Sequence, residues 1–289
     1  MVRVDNERLL QLCRVFKLVG LERIKSFEEL DPQLTVARVI YDKCGLLTPH
    51  ILFTNALISY QLRTTGEEYW LNFSELVINR CPRSQDEVVD KILESLKYLH
   101  NFAVKAKERR LNKLKTCTHL YKSILHSDLN IIREEVAECL DAGVNDKTIV
   151  FAIKMLYYGL KALGKDVMLP FNIPIPVDRR VIKVSYYSGL IVIDESESER
   201  GAKMDDILGK LFKKSQIVRD AWNTIGYKSS IPPLYIDTVL WLLGKYVSAA
   251  SKAEAFKNLV NDFGLDKINK IGEQYVKLLF NELLYKLPN

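Results

Sequence analysis

The sequence is poor in the residues that build disulfide-framed or metal-centred domains. Its five cysteines are odd in number and far apart, and no two of them form a Cys-x-x-Cys pair. They are Cys13, Cys44, Cys81, Cys117 and Cys139. The four histidines lack a ligand spacing such as His-Glu-x-x-His; they are His50, His100, His119 and His126. We therefore predict free, mostly buried thiols in a reducing compartment, no metal site and no cofactor.

Long hydrophobic runs are also missing, and the composition of the N-terminal residues leads us to expect no signal peptide. No apolar stretch approaches the ~20 residues that a membrane-spanning helix needs. The first eight residues, Met-Val-Arg-Val-Asp-Asn-Glu-Arg, mix acidic and basic side chains, and no small-residue cleavage site follows them. We therefore expect an intracellular protein.

Signals for β-strands are scarce, whereas helical periodicity runs through almost the whole chain. No Asn-Gly or Asp-Gly hairpin turn occurs, and strict alternation of polar and apolar residues is rare. Apolar residues instead recur at intervals of three and four. Examples are Leu9, Leu12, Cys13 and Phe16; Ile51, Phe53, Ala56, Leu57, Tyr60 and Gln61; Ile92, Leu96 and Leu99; and Val239, Leu240, Leu243 and Val247. This pattern predicts an all-α fold with short connections.

A proline-rich segment divides the helical pattern. Leu169–Asp178 contains prolines at 170, 174 and 176, and a helix cannot continue through them. We predict that the chain crosses here between two helical subdomains, one formed by residues 1–48 and 169–289 and the other by residues 49–168. The acidic, serine-rich tract Asp194–Arg200 is expected to be a solvent-exposed excursion between helices.

A candidate nucleophile, Lys147, follows a helix–hairpin–helix pattern. One helix is predicted to end near Leu140, and a tight turn to use Gly143. A second helix then begins with Asn145 or Asp146 as its N-cap. Lys147 would lie in the first turn of that helix, where the helix dipole disfavours a positive charge and so favours the neutral, nucleophilic amine. A surface lysine beside Asp146 is the structural alternative.

A candidate catalytic carboxylate, Asp178, ends the segment Ile175-Pro-Val-Asp178. Its position is that of a helix N-cap, which is also the structural alternative for this residue. A fixed carboxylate is suited to stabilise the positive charge that grows on a sugar as a glycosidic bond breaks. On the hairpin helix, Lys147, Phe151 and Lys154 share one face, so an amine and an aromatic ring could hold a flipped base. A simple core role for Phe151 is the alternative.

Together these segments resemble the helix-hairpin-helix DNA glycosylases. In that family a catalytic lysine starts the second hairpin helix, and a catalytic aspartate follows in a Val/Ile-Pro-Val-Asp segment. The hairpin here is Gly143-Val-Asn-Asp-Lys147 instead of the common Gly-Val-Gly-Thr-Lys, and Asp178 follows after a longer helix. In both respects the chain resembles the archaeal 8-oxoguanine DNA glycosylases, the AGOG branch. Matching blocks in order are Asp31-Pro-Gln33, Asn55–Tyr60, Gly66–Trp70 and Ile231–Trp241.

The resemblance implies an enzyme that excises 8-oxoguanine from DNA and then cleaves the strand as an AP lyase. Lys147 would be the Schiff-base nucleophile and Asp178 its catalytic carboxylate, without metal or cofactor. Phe151 and Trp241 would enclose the oxidised purine. The remaining pocket residues would be Gln33, Trp70, Lys154 and Asp237. Taken singly, three of these residues have structural alternatives: Trp241 as core, Asp237 as an N-cap after Pro232-Pro233, and Gln33 as a turn residue.

The net charge of +6 is compatible with a polyanionic partner, here double- or single-stranded DNA. Basic residues recur every four positions at Lys105, Arg109 and Lys113, with Lys107, Arg110 and Lys115 nearby. This face is expected either to follow phosphates or to be merely solvated. Arg179 and Arg180 directly follow Asp178, and we expect one of them to contact phosphate. The protein is expected to be a monomer in the cytoplasm, associated with the nucleoid.

Two alternatives to this function remain at the level of the sequence. The same fold could serve another damaged base, because pocket chemistry and not fold selects the substrate. The chain could also be a non-catalytic helical DNA-binding or scaffold protein in which Lys147 is inert.

Overall fold

The computed structural model describes residues 1–99, 102–125, 128–193 and 204–289. His100, His126 and the tract Asp194–Arg200 lie outside the described residues. The described chain is all-α, as predicted, apart from one antiparallel pair of three-residue strands in which Arg3 pairs with Val192. Among the described residues, no helix combines the length and the apolar character needed to cross a membrane.

The elements follow one another with short connections. Up to Leu140 they are β1 (Val2–Val4), α1 (Asn6–Val19), α2 (Leu21–Ser26), α3 (Pro32–Cys44), α4 (Thr48–Ala56), α5 (Gly66–Ile78), α6 (Gln85–Ser95), α7 (Val104–Leu114), α8 (Thr118–Ser123) and α9 (Leu129–Leu140). They continue with α10 (Lys147–Ala162), α11 (Arg179–Tyr187), β2 (Ile191–Ile193), α12 (Met204–Phe212), α13 (Ser215–Ser229), α14 (Pro233–Leu243), α15 (Lys252–Phe263), α16 (Leu265–Ile271) and α17 (Glu273–Leu283).

The chain forms two compact units. The terminal unit comprises Met1–Asp31 and Phe171–Asn289, and the middle unit comprises Pro32–Pro170. The division near Pro170 falls in the proline-rich segment, which contains no helix. The first division lies after residue 31 and not after residue 48, because α3 packs against α5 and α10 of the middle unit. The subdomain boundaries expected at 48/49 and 168/169 therefore move to 31/32 and 170/171.

The core of the middle unit forms around α10. Its packing against α4 is tight at Gly159, where a Cβ atom would lie 2.6 Å from Pro49 Cα. Every residue of α4 is buried, which fits its central position. The apolar stripe that predicted this helix continued to Gln61, but the helix ends at Ala56, and Gln61 has a positive φ of 47°.

The core of the terminal unit is built from α1, α13, α14 and α11. Phe16 of α1 meets Trp222 of α13 edge to face, with ring centroids 6.3 Å apart. The buried indole N–H of Trp222 donates to Ser185 Oγ at 2.8 Å, which joins α13 to α11. Because α14 packs against both α11 and α13, the helix that contains Trp241 is held against the helix that begins after Asp178.

The prediction of free thiols was wrong for four of the five cysteines and holds for Cys13. Disulfides join Cys44 to Cys81 and Cys117 to Cys139, and Cys13 remains free and buried. The paired Cα atoms lie 5.3 and 6.2 Å apart, although the partners are 37 and 22 residues apart in the sequence. The prediction failed because spacing along the chain does not reveal which helices pack together. The expected reducing compartment loses the support that it drew from free thiols.

Candidate active site

The hairpin between α9 and α10 presents Lys147. Its left-handed residue is Asp141, with φ 50°, and the turn closes where Gly143 N–H donates to Asp146 Oδ2 at 3.0 Å. A Cβ atom on Gly143 would lie 2.9 Å from Asp146 Oδ1, so a larger residue here would require the Asp146 side chain to shift. Of the two predicted N-caps of α10, Asn145 and Asp146, the structure has Asp146, although its side chain bonds to the turn and makes no capping bond to the helix.

The face of α10 that contains the candidate residues runs from solvent into the core. Lys147 is the first helical residue and is exposed, Phe151 is half-buried, and Lys154 is buried. The Lys154 ammonium lies 5.8 Å from the centroid of the Tyr158 ring. The helix therefore has one lysine side chain at its exposed end and a buried lysine two turns further on.

Two predicted pocket residues of the middle unit are in contact. Trp70 of α5 is buried, and its ring centroid lies 6.1 Å from that of Phe151. The neighbouring Tyr69 hydroxyl donates to Asn55 Oδ1 at 2.8 Å, and burial raises the pKa of Tyr69 well above its usual range. Phe151 therefore packs on one side against an aromatic cluster while part of it stays accessible, so it is not simple core.

Gln33 is the second residue of α3 and is 3% exposed. The alternative of an exposed turn residue is therefore wrong. Burying an amide is unfavourable unless its hydrogen-bonding groups are satisfied, so a glutamine at such a position calls for a structural or ligand-binding reason.

Sequence reasoning missed one residue, Arg110, that is connected to the candidate site. Arg110 of α7 donates from Nη2 to Thr148 Oγ1 at 2.9 Å, next to Lys147 in the chain. Burial lowers the pKa of Arg110, while Tyr60 and Asp146 act in the opposite direction. Because 38 residues separate Arg110 from Thr148, no local pattern could have indicated this contact.

Fewer basic residues of α7 are available to bind phosphate than their spacing in the sequence indicates. Lys105 and Arg109 are exposed, but Lys107 is fully buried, with its ammonium 5.0 Å from the centroid of the Tyr60 ring. Lys113 forms an ion pair with Asp141 of the hairpin, and Lys115 forms one with Asp90. Lys105 and Arg109 thus remain as the exposed pair one helical turn apart.

Asp178 caps α11 in the terminal unit, as predicted. Its Oδ1 accepts from the backbone N–H groups of Arg180 and Val181, each at 2.8 Å. The side chain is half-buried. Both capping bonds end on the same oxygen, so the capping role does not use Oδ2.

The two candidates on α14 differ in exposure. Asp237 is 3% exposed and lies one turn inside a helix that begins at Pro233 with Pro232 as N-cap. The alternative that Asp237 is itself an N-cap is therefore wrong. Trp241, four residues later, remains half-exposed, which weakens the core alternative for this ring.

The side chains of the two arginines that follow Asp178 make different contacts. Arg180 places its guanidinium carbon 4.3 Å from the centroid of the Trp241 ring, and its Nη1 donates to the Trp241 carbonyl oxygen at 3.0 Å. Arg179 is exposed and pairs with Asp205 at 3.3 Å. The terminal unit thus joins Asp178, Arg180 and Trp241 in one connected group.

Comparisons with known proteins agree on one family. The family model of the AGOG N-glycosylase/DNA lyases matches residues 13–274. The N-glycosylase/DNA lyase of Pyrobaculum aerophilum is 30% identical over 249 residues, which cover 84% of this chain and 88% of that protein. The N-glycosylase/DNA lyase of Methanopyrus kandleri is 31% identical over 198 residues, covering 65% and 69%.

A solved structure extends the similarity to the fold. The crystal structure of the 8-oxoguanosine complex of Pa-AGOG, the 8-oxoguanine DNA glycosylase from Pyrobaculum aerophilum, matches with a TM-score of 0.71 and 25% sequence identity. The match covers 90% of this chain and 97% of that one.

Proposed function

Because the chain belongs to the AGOG family of N-glycosylase/DNA lyases, we propose that it excises 8-oxoguanine from DNA through a Schiff base on Lys147. As a member of this family it is a DNA-repair enzyme with N-glycosylase and lyase activity. The observation that carries the finer proposal is the exposed Lys147 at the first position of α10, at the tip of a hairpin. The related crystal structure holds 8-oxoguanosine, which supports the choice of base.

The position of Lys147 suits a nucleophilic amine. Lys147 is the first residue of α10 and its side chain is exposed, so its amine is accessible to a sugar of bound DNA. The amine attacks C1′, the C1′–N9 bond breaks, and the base leaves with the bonding electrons and takes up a proton. Opening of the C1′–O4′ bond, with a proton going to O4′, gives the Schiff base. Loss of a proton from C2′ then breaks the C3′–O3′ bond and cleaves the strand.

Asp178 supplies negative charge to the same step. The backbone N–H groups of Arg180 and Val181 hold its Oδ1, so the carboxylate is fixed before substrate arrives. A charge that is preorganised in this way stabilises the positive sugar of the transition state without further reorganisation.

In this proposal the remaining candidates of each unit contact one flipped base. Phe151 and Trp241 are partly exposed aromatic residues suited to stacking, and Trp70 packs against Phe151. Gln33, Lys154 and Asp237 are polar side chains that are 3% exposed or less. Glutamine offers both a donor and an acceptor for a purine edge, and the lysine and aspartate add one donor and one acceptor group.

DNA is held outside the pocket through its phosphates in this proposal. Lys105 and Arg109 are exposed on α7, the helix that bonds to Thr148 beside Lys147, and Arg179 is exposed at the start of α11. Cations at these positions would neutralise phosphates in a salt-dependent manner. We expect a monomer that acts on the chromosome.

Borohydride trapping on a labelled duplex with a single 8-oxoguanine tests the proposal. Borohydride reduces a Schiff base to a stable adduct, so wild-type protein should give a lesion-dependent covalent complex. Lys147→Gln should give none. Lys161→Gln, in the last turn of the same helix, is the matched control and should trap as wild type does. An undamaged duplex is the substrate control and should give no covalent complex.

The alternatives predict different results in the same assay. An adduct that persists in Lys147→Gln would move the nucleophile to another lysine, with Lys154 tested next. Trapping on a different lesion in a panel of duplexes, but not on 8-oxoguanine, would identify another damaged base as substrate. If Lys147→Ala leaves every activity unchanged, Lys147 is inert and the proposed mechanism is wrong.

A further inference from the structure

Arg180 lies against an aromatic residue and not in an open position on the surface. Its guanidinium carbon is 4.3 Å from the centroid of the Trp241 indole, within the range of a cation–π contact. The same group donates a hydrogen bond to the Trp241 carbonyl oxygen at 3.0 Å, across 61 positions of sequence. Two contacts of different kinds therefore connect one guanidinium to one tryptophan.

The absence of a side chain at Gly244 leaves room for the side chain of Arg180. A Cβ atom on Gly244 would lie 2.8 Å from Arg180 Cγ and 2.7 Å from Val184 Cγ2. Such distances are shorter than van der Waals contact, so the aliphatic stem of Arg180 depends on a glycine three residues after Trp241. The stem is thus held between α11 and the end of α14.

The same arginine is connected to the candidate carboxylate. Its backbone N–H donates to Asp178 Oδ1 at 2.8 Å. The side chain of Arg180 therefore starts at the cap of α11 and ends at the indole of Trp241. A planar guanidinium stacks on an aromatic face, whereas the ammonium of a lysine is a point charge that does not match a plane.

We propose that Arg180 is a positioning residue that fixes the ring plane of Trp241 for stacking against the extruded base. This inference rests on the proposed function, in which Trp241 forms one wall of the base pocket. Of the two arginines expected to supply one phosphate contact, it leaves that role to Arg179. The guanidinium lies over one indole face, and Trp241 as a whole is only partly buried.

The test compares Arg180→Met with Lys183→Met, which removes a half-buried cation three residues later on the same helix. The first readout is acrylamide quenching of tryptophan fluorescence in the protein without DNA. Trp70 and Trp222 are 2% and 0% exposed, so Trp241 dominates quenching. Arg180→Met should increase quenching because it uncovers an indole face. Lys183→Met should leave it unchanged.

The second readout separates base stacking from phosphate binding. Single-turnover excision of 8-oxoguanine should fall on the order of tenfold in Arg180→Met, the effect expected for loss of a partly buried cation–π contact. Cleavage at a preformed abasic site needs no base in the pocket and should fall far less. In a Trp241→Ala background, Arg180→Met should add less than about twofold, because residues that act through one another are not additive.

Other outcomes would overturn the inference. If Arg180→Met weakens binding to undamaged duplex and slows abasic-site cleavage as much as excision, Arg180 contacts phosphate. Unchanged quenching would mean that the guanidinium does not cover Trp241 in solution. A circular dichroism melt checks that each variant is folded. Arg180→Lys keeps the charge, but neither its quenching nor its excision rate should return fully to the wild-type value. If wild-type protein does not excise 8-oxoguanine, the proposed function fails, while the quenching comparison still tests the Arg180–Trp241 contact.

Discussion

At the scale of single residues, Asp178 combines a structural and a proposed chemical role on one carboxylate. Oδ1 caps α11 through two backbone N–H groups, and capping does not use Oδ2. Asparagine is as good an N-cap as aspartate, whereas alanine is a poor one. The two roles can therefore be separated by substitution.

We predict that Asp178→Asn keeps the melting temperature within about 2 °C while excision falls on the order of 100-fold, because the cap survives and the charge does not. Asp178→Ala should also lose about 1 kcal/mol of stability, equivalent to about 2–4 °C. Thermal melts and single-turnover excision measure the two effects. If Asp178→Asn excises the base at the wild-type rate, Asp178 acts only as a helix cap.

Lys107 gives a prediction about pH. Burial of its amine lowers its pKa from 10.5 to about 8. Below pH 8 the amine is protonated in both folded and unfolded chains, so the penalty for burying its charge is fully present. Between pH 8 and 10.5 the unfolded chain binds more protons, so this group increases stability as pH rises.

Replacing Lys107 with methionine should remove that dependence. We expect Lys107→Met to melt at a higher temperature than wild type at pH 7, with the difference shrinking towards pH 10. Lys105→Met, on the exposed side of α7, is the matched control and should show a small difference that does not vary in this way. A constant difference between Lys107→Met and wild type from pH 7 to 10 would contradict the assignment.

At the scale of elements, the contact of α10 with α4 positions the helix that begins with Lys147. Gly159 allows this contact, since a Cβ there would lie 2.6 Å from Pro49 Cα. Gly209 in α12 offers a contrast, because a Cβ at that position meets no atom within 4 Å. The two glycines lie inside helices but differ in what surrounds them.

We predict opposite signs for the same substitution at these positions. Gly159→Ala should destabilise the protein by about 1–3 kcal/mol through overpacking. Gly209→Ala should stabilise by about 0.5–1 kcal/mol, because alanine loses less backbone entropy in a helix. Chemical denaturation followed by circular dichroism gives both values. Stabilisation by Gly159→Ala would show that α4 and α10 are not in close contact at this point.

At the scale of the whole molecule, the two disulfides cross-link the middle unit. Cys44–Cys81 joins the end of α3 to the chain after α5, and Cys117–Cys139 joins the start of α8 to the end of α9, close to the hairpin. Chain entropy predicts about 3–4 kcal/mol of stabilisation for loops of these lengths. Protein disulfides also occur inside cells of hyperthermophilic archaea, so disulfides alone do not imply secretion.

Reduction should therefore lower the thermal stability of the protein. We expect a reductant to decrease the melting temperature by about 6–12 °C per disulfide, because about 3 kcal/mol corresponds to that shift in a chain of this size. A variant with Cys44, Cys81, Cys117 and Cys139 replaced by alanine should melt at the lower temperature with or without reductant. Mass spectrometry under non-reducing conditions checks the pairing directly. Free thiols at all five cysteines of the native protein would remove the basis of this prediction.

The sequence alone determined the features that depend on local chemistry. The period of its apolar residues predicts the helices, because each amphipathic helix must bury one face. Prolines at 170, 174 and 176 interrupt the helical pattern where the compact units divide. The start of α10 after Asp146 and the cap at Asp178 follow from short-range rules, and the motifs around them indicated the family.

Only the tertiary structure decided the contacts between residues that are distant in the chain. The disulfide partners, the bond from Arg110 to Thr148 and the stacking of Arg180 on Trp241 are examples. Burial of Lys107 within a basic stretch and of Asp237 inside α14 are others. The physical reason is that these properties depend on which helix faces meet, and periodicity specifies that a face is buried without specifying its partner.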